Sequence, residues 1–297
     1  MDPQIELRHL RYFLAVAETL HFSKAAERLG MAQPPLSQQI KRLEQLLGHR
    51  LFDRTTRGVQ LTAAGRLLAE RARGALERIQ DDLTQVARVA RGEEGTLTVG
   101  FSGSVMFTEL PRAIESFRRR YPKVELRLQE LVTSAQIAAL LDGTLDLGFL
   151  RDGDPTEGVQ MSTVLKEPYV AVLPQGHRLA ARPSLRVKDL RNEPFIFFAR
   201  QMGPLAYDRT MACCEHHGFH PDIVQEAPQW PTLVRLVAAG IGVSLAPACI
   251  ASVAIPGACY RDVHAACRST VDLAIKVGPD RTLTHNFMRI TREHLVG

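Results

Sequence analysis

Gln33, Pro34, Ser37, Gln38 and Lys41 carry the groups that suit the edge of a DNA duplex: two amides, a hydroxyl, an ammonium and an apolar ring. Leu36, Ile40, Leu43 and Leu47 recur among them at helical spacing and so share one face of a helix. At about 100° per residue, Pro34, Gln38, Lys41 and Gln45 fall on the opposite face, with Ser37 and Arg42 flanking it. An amide can pair bidentately with adenine, a hydroxyl can meet several base edges, and a cation can hold phosphate. Carboxylates are nearly absent from this face, as a surface that meets DNA requires. Prolines 34 and 35 fit the first helical turn, where a missing N–H costs nothing.

A shorter helix is expected just before it, capped by Ser23, running through Ala25, Ala26 and Leu29 and stopping at Gly30. Only Met31, Ala32 and Gln33 separate the two, so the pair reads as a helix-turn-helix. An ordinary amphipathic hairpin would show the same periodicity, and the next segment decides against it. Leu51-Phe52 and Val59-Gln60-Leu61 read as strands around a turn that carries Arg54 and Arg57. A basic hairpin after such a helix is a wing, placed to reach the backbone or the minor groove. Leu7, Leu10, Leu14 and Ala17, with Phe13, form a stripe that backs the arrangement.

Thr62 is expected to cap a long helix reaching about Arg91. Along it Ala69, Ala72, Leu76, Ile79, Leu83, Val86 and Ala90 alternate three and four apart, the pattern of a coiled-coil seam. Packing against its own domain would use the same stripe. A seam this long after a winged domain favours dimerisation through Ala72, Leu76, Ile79, Leu83 and Val86. A twofold pair of readers implies a roughly palindromic double-stranded target.

After Gly92–Gly95 the pattern changes to alternating strands and helices, which predicts a parallel sheet with helical cover. In such sheets ligands bind at strand C-termini. Three segments qualify: Ser102-Gly103-Ser104, the helix start at Thr133, and Arg200–Pro204. The hydroxyls of Ser104 and Thr133, with free amides at helix starts, suit a carboxylate. Trp230, the one tryptophan, begins a later helix and can wall the cleft, although an N-cap or packing role explains each of these residues too. Arg151 ends a strand, where it can meet a ligand acid or, more simply, an internal carboxylate.

The chain resembles the LysR-type transcriptional regulators. The resemblance rests on Leu10-Arg11-Tyr12-Phe13, Phe22-Ser23-Lys24-Ala25-Ala26, Gln33-Pro34-Pro35-Leu36-Ser37, Leu43–Gly48, Leu51-Phe52-Asp53-Arg54 and Leu61–Gly65. It implies an α/β fold overall: an N-terminal winged helix-turn-helix (1–61), a long linker and dimerisation helix (62–91), and a C-terminal two-lobed α/β periplasmic-binding-protein-like effector domain (92–297). The lobes would comprise about 95–160 with 268–297, and about 161–267. The resemblance extends to the aromatic-catabolism branch of the family in Phe101-Ser102-Gly103-Ser104 and the Pro34-Pro35 pair. In that branch, positions matching Ser104, Thr133 and the segment around Pro204 and Leu205 line the effector site. It further implies a small-molecule effector, here a small organic acid, a tetramer of two dimer pairs, and contact with RNA polymerase. Many relatives carry a basic residue where this chain has Gln38, whose amide favours adenine.

Composition narrows the alternatives. At 297 residues, 45% of them apolar, the chain can form two or more domains. The net charge of +5 is modest, so nucleic-acid affinity must rest on local placement of charge. The N-terminus has neither a basic start nor an apolar core, and no apolar run reaches membrane-spanning length, so the cytoplasm is expected. That counts against a solute-binding transport protein, which the second half alone would suggest. Ten histidines show no metal-binding pattern, Gly240–Gly242 is not a dinucleotide fingerprint, and no catalytic constellation is present, which excludes an enzyme and leaves no metal or cofactor expected. Five cysteines, an odd number, argue against a disulfide framework and for inert thiols. Some members of the family sense oxidants through cysteines, which keeps a redox-sensing regulator as an alternative.

Overall fold

The computed structural model describes residues 5–55, 58–265, 267–278 and 281–295. The chain divides into two compact units, Met1–Ala87 and Arg88–Gly297.

In the first unit, α1 (Leu7–Thr19), α2 (Phe22–Arg28) and α3 (Gln33–Leu47) close around Phe13, Val16, Ala25, Leu36, Ile40 and Leu43. Helix α3 begins as its prolines dictate, after an extended Ala32, and stops at Gly48 with φ of 69°. Helix α2 departs from expectation. Its N-cap is His21, whose ring accepts from Lys24 N, and Ser23 lies inside the first turn. The helix starts early because Phe22 is a buried member of the core. Strands β1 (Phe52–Thr55) and β2 (Gly58–Leu61) form the antiparallel wing, with Arg54 opposite Val59. Arg57 lies outside the described residues.

Helix α4 (Ala63–Ala90) is capped by Thr62, whose Oγ1 accepts from Gly65 N at 2.9 Å and donates to Arg50 O at 2.8 Å. A Cβ at Gly65 would collide with the carbonyl oxygen of Leu51, so only glycine lets α4 approach the wing root this closely. The seam read from the sequence is divided in use. Ala72 is 2% exposed within the domain core, with Leu68, Ala69 and Leu76 packed against it. Ala72 therefore cannot meet a partner helix, and Leu76 is largely occupied, because a core-facing stripe and a coiled-coil seam share one period. Leu83 and Val86, at 57% and 66% exposure, remain uncovered.

The second unit contains β3 (Glu94–Phe101), α5 (Leu110–Arg120), β4 (Lys123–Glu130), α6 (Thr133–Asp142), β5 (Leu147–Arg151) and β6 (Val159–Glu167). It continues with β7 (Tyr169–Pro174), β8 (Ser184–Arg186), β9 (Pro194–Phe198), α7 (Pro204–His216), β10 (Asp222–Ala227), α8 (Trp230–Ala238), β11 (Ser244–Pro247) and β12 (Ala258–His264). β13 (Ser269–Lys276) and α9 (Thr282–Leu295) complete it. The first-lobe sheet has the order β4-β3-β5-β13-β6. The second lobe holds β11-β7-β12-β8 and the pair β10-β9, stitched together where Ile196 N donates to Val243 O at 2.8 Å.

Three expectations are corrected. β6 belongs to the first lobe, since it pairs with β13 from Val159 to Glu167, so the first lobe runs on past the expected limit near 160 and the first crossing lies at Pro168. The second lobe accordingly spans 168–268. Neither lobe is built of purely parallel sheet: β3 runs parallel to β4 and β5 and β10 to β9, but β13 is antiparallel to β5 and β6, and β7 is antiparallel to β11 and β12. Cys213 and Cys267 are joined as a disulfide with Cα atoms 6.0 Å apart, against the expectation of unpaired thiols. A separation of 54 residues hides that approach, which arises because the return crossing runs over the core that holds Cys213. Among the described residues no helix is long and apolar enough to cross a membrane.

Candidate nucleic-acid interface and ligand cleft

On α3 the buried face is Leu36, Ile40 and Leu43, each fully inaccessible. Gln33, Pro34, Gln38 and Lys41 are exposed, and Ser37 is half-buried, with Gln33 Nε2 donating to Ser37 Oγ at 3.2 Å. Two side chains not singled out from the sequence hold this face in place. Glu44 Oε1 accepts from Leu51 N at 2.7 Å and Phe52 N at 3.2 Å, tying the root of the wing to α3. His9, 1% exposed, links its Nε2 to Gln39 Oε1 at 3.1 Å and joins α1 to α3. Arg54 is exposed, with its guanidinium 4.5 Å from the centroid of the Phe22 ring, a cation–π contact that orients it.

In the second unit, a cavity of about 340 Å³ opens between the two lobes. Ser104, Thr133 and Trp230 all line it. Ser104 follows β3 inside a short 3-10 turn and is 5% exposed, its Oγ accepting from Arg151 Nε at 3.1 Å. Thr133 opens α6 and does not cap it, since Val132 is the N-cap; its Oγ1 donates to Arg151 O at 3.4 Å. Trp230 begins α8 and stacks on Phe198, with centroids 5.3 Å apart and planes 15° apart.

Pro204 and Leu205 do not line this cavity. They face an adjoining one of about 200 Å³ that shares Thr133, Arg151, Asp152 and Gly203 with it. Helical period explains the division, because Ala206, Tyr207 and Thr210 recur on the face of α7 that meets the main cavity.

Arg151 is fully engaged. Its side chain is 7% exposed; Nη1 pairs with Glu167 Oε1 at 2.5 Å and reaches Ser269 Oγ at 3.2 Å, and Nη2 meets Cys249 Sγ at 3.5 Å. Of the two sequence readings, the internal carboxylate is the one found. Asp152 is 1% exposed and accepts from Ser269 Oγ, Thr270 N and, across the lobes, Arg209 Nη1 at 2.9 Å. Glu167 Oε2 takes the Cys249 amide at 2.6 Å. Burial pushes the Cys249 thiol up to about 12, and burial, then the Asp152 charge, does the same for Tyr169. Asp152, Glu167 and Arg209 carried no sequence signal, since nothing local marks pairs so distant in the chain. Phe197 and Phe198, at the end of β9, also line the cavity and carry no local mark of it in the sequence.

Residues 90–296 match the LysR substrate binding domain, and residues 7–66 match the bacterial regulatory helix-turn-helix of the lysR family. The chain belongs to the LysR family. Within it, the HTH-type transcriptional regulator AlsR of Bacillus subtilis is 44% identical over 243 residues, covering 82% of this chain and 80% of AlsR. Full-length CbnR, solved in complex with its target DNA, superposes with a TM-score of 0.85 at 27% identity over 98% of this chain and all of CbnR. The BenM effector binding domain, solved with its effector benzoate, gives a TM-score of 0.63 at 26% identity, covering 67% of this chain and 91% of that domain. As a LysR-type protein the chain is a DNA-binding transcriptional regulator with an effector-binding domain. The amide face lies in the helix-turn-helix segment and the cleft in the substrate-binding segment.

Proposed function

We propose that this regulator binds a pseudo-palindromic double-stranded operator as a homo-oligomer and is switched by a small organic acid in the inter-lobe cleft. Gln33, Pro34, Ser37, Gln38 and Lys41 enter the major groove, and Arg54 and Arg57 hold backbone or minor groove. Ile79, Leu83 and Val86 pair two copies along α4, and two such dimers make the tetramer that meets RNA polymerase. The observation that carries the effector reading is the cavity, which sets an aromatic wall of Phe198 and Trp230 against the hydroxyls of Ser104 and Thr133. The wall suits the apolar body of an acid from aromatic breakdown. The hydroxyls and the α6 amides suit its carboxylate. Closure of the cleft around the ligand favours one inter-lobe angle over another, and ligand shifts that balance only through its differential affinity for the two.

Binding to the upstream intergenic DNA, followed by fluorescence anisotropy across salt concentrations, tests both halves. Arg57→Ala should weaken binding and flatten its salt dependence. A Ser104→Ala, Thr133→Ala double variant should bind the operator normally and lose the effector response. Normal binding by Arg57→Ala at every salt concentration removes the wing, and intact induction in the double variant removes the pocket.

The disulfide supports a second reading, a redox-responsive regulator. Cys213 lies on α7, the helix whose other residues line the cavity. Closing the bond takes two electrons and two protons from the thiols to a hydroperoxide, whose O–O bond breaks to give water and an alcohol. Operator binding that is identical for oxidised and reduced protein, with and without effector, removes this reading.

A further inference from the structure

The interior of the cleft is electrically balanced: Arg151 is paired with Glu167 and Arg209 with Asp152. One charged group that lines the cavity is left over, the carboxylate of Glu130 at the end of β4. It is exposed at the lip and has no cation within ion-pairing distance among the described residues. Its Oε1 occupies the space that a Cβ on Gly103 would take, so the missing side chain at Gly103 is what admits it to the cavity wall. Gln229, from the other lobe, brings its Oε1 to 3.7 Å of the same point. Among the described residues the lip therefore presents the Glu130 carboxylate and, from the other lobe, the Gln229 amide, with no cation paired to the carboxylate.

We infer that Glu130 is a specificity-determining residue that sets the chemical class of the effector. The effector carries a single acid group, together with a hydroxyl or amino donor that meets Glu130, and a second acid group is excluded. This rests on the small-acid reading of the cleft and deepens it. Near Glu130 a second carboxylate meets a like charge with nothing to offset it. A donor there gains a hydrogen bond to an ionised acceptor, and an effector filling the cleft withdraws that acceptor from water. An acid lacking the donor leaves the carboxylate desolvated without a partner.

The test is calorimetric titration of the full chain with acids matched in shape: benzoate, its 3- and 4-hydroxy and 3- and 4-amino derivatives, isophthalate and terephthalate. The best hydroxy or amino acid should bind about tenfold tighter than benzoate, the scale of one hydrogen bond to a charged group, and both diacids at least about tenfold weaker. Glu130→Gln should bring the diacids close to benzoate and reduce the preference for the amino acids. Gly103→Ala, which displaces the carboxylate from the backbone side, should shift the ratios in the same direction. Diacids that match benzoate on the native chain, or ratios unchanged in both variants, overturn the role of Glu130 and leave the small-acid reading intact. If none of these acids binds native protein that still binds operator, both fall.

Discussion

Asp152 and Arg209 stand on opposite lobes, and Nη1 of Arg209 donates to Oδ1 of Asp152 at 2.9 Å. Asp152 is a non-glycine residue in the left-handed region, with φ of 49°, held there by its bonds to Ser269 and Thr270. Arg209 is partly exposed and rides on α7, whose neighbouring residues Ala206 and Thr210 line the cavity. The pair thus connects the position of a cavity-lining helix to the end of β5. Arg209→Ala should leave a buried carboxylate short of its charge partner and cost about 1–3 kcal/mol in urea unfolding, discounted because the arginine reaches solvent. It should also weaken effector binding in calorimetry. Unchanged stability and unchanged affinity together would show that the contact couples nothing.

The divided use of α4 predicts two different failures from similar substitutions. Leu83→Glu with Val86→Glu places charge on exposed positions and should dissociate the oligomer in sedimentation equilibrium while the melting temperature of each unit holds. Ala72→Glu buries a carboxylate in the domain core and should cost several kcal/mol, on the order of 3–5, seen as loss of helical signal from the DNA-binding unit. A folded monomer from Ala72→Glu would return that residue to the seam.

What was legible in the sequence was local. The start and face of α3 follow from Pro34 and the Leu36–Ile40–Leu43 stripe, each acting within a turn or two of itself. Ser104, Thr133 and Trp230 reach one cavity because each sits where a helical turn or helix begins, which sequence patterning can place. The rest depended on distance along the chain. β6 finds its partner β13 more than a hundred residues later, so its lobe was misassigned. Pro204 and Leu205 lie one to two residues, a fraction of a turn, out of phase with Ala206, Tyr207 and Thr210, a difference fixed by how α7 packs. Ala72 shows the limit of periodicity: a core-facing stripe and a coiled-coil seam share one period, and at this residue the domain's own core takes the face.

The disulfide yields a stability prediction that separates it from two neighbouring thiols kept apart. Cross-linking residues 54 apart restricts the unfolded chain, by about 2–4 kcal/mol on typical values. Cys213→Ser should lower stability in non-reducing buffer by about that amount, and in strong reductant the native and Cys213→Ser proteins should converge to within the cost of the buried hydroxyl. Mass spectrometry under denaturing, non-reducing conditions should find the 213–267 cross-link in oxidised protein and its loss on reduction. A native protein equally stable in both buffers would show that the bond contributes nothing to the fold.

Alkaline stability follows from the groups that burial keeps protonated. Burial raises Cys214 to about 12, helped by the Glu215 charge, and Cys249 and Tyr169 reach about 12 as well. In the unfolded chain the thiols lose their protons near 8.5 and the phenol near 10. Between those values and about 12 the folded state binds more protons than the unfolded state, so stability falls as pH rises through this window, and below about pH 8 the full contribution is present. Each thiol should withdraw roughly 3 kcal/mol by pH 11. The melting temperature should hold between pH 7 and 8 and fall from pH 9 to 11, and a Cys214→Ala, Cys249→Ala variant, starting lower, should fall less steeply. Parallel slopes for the two proteins would mean that the thiols ionise as freely in the fold as outside it, and that the contacts around Cys249 leave it open to water.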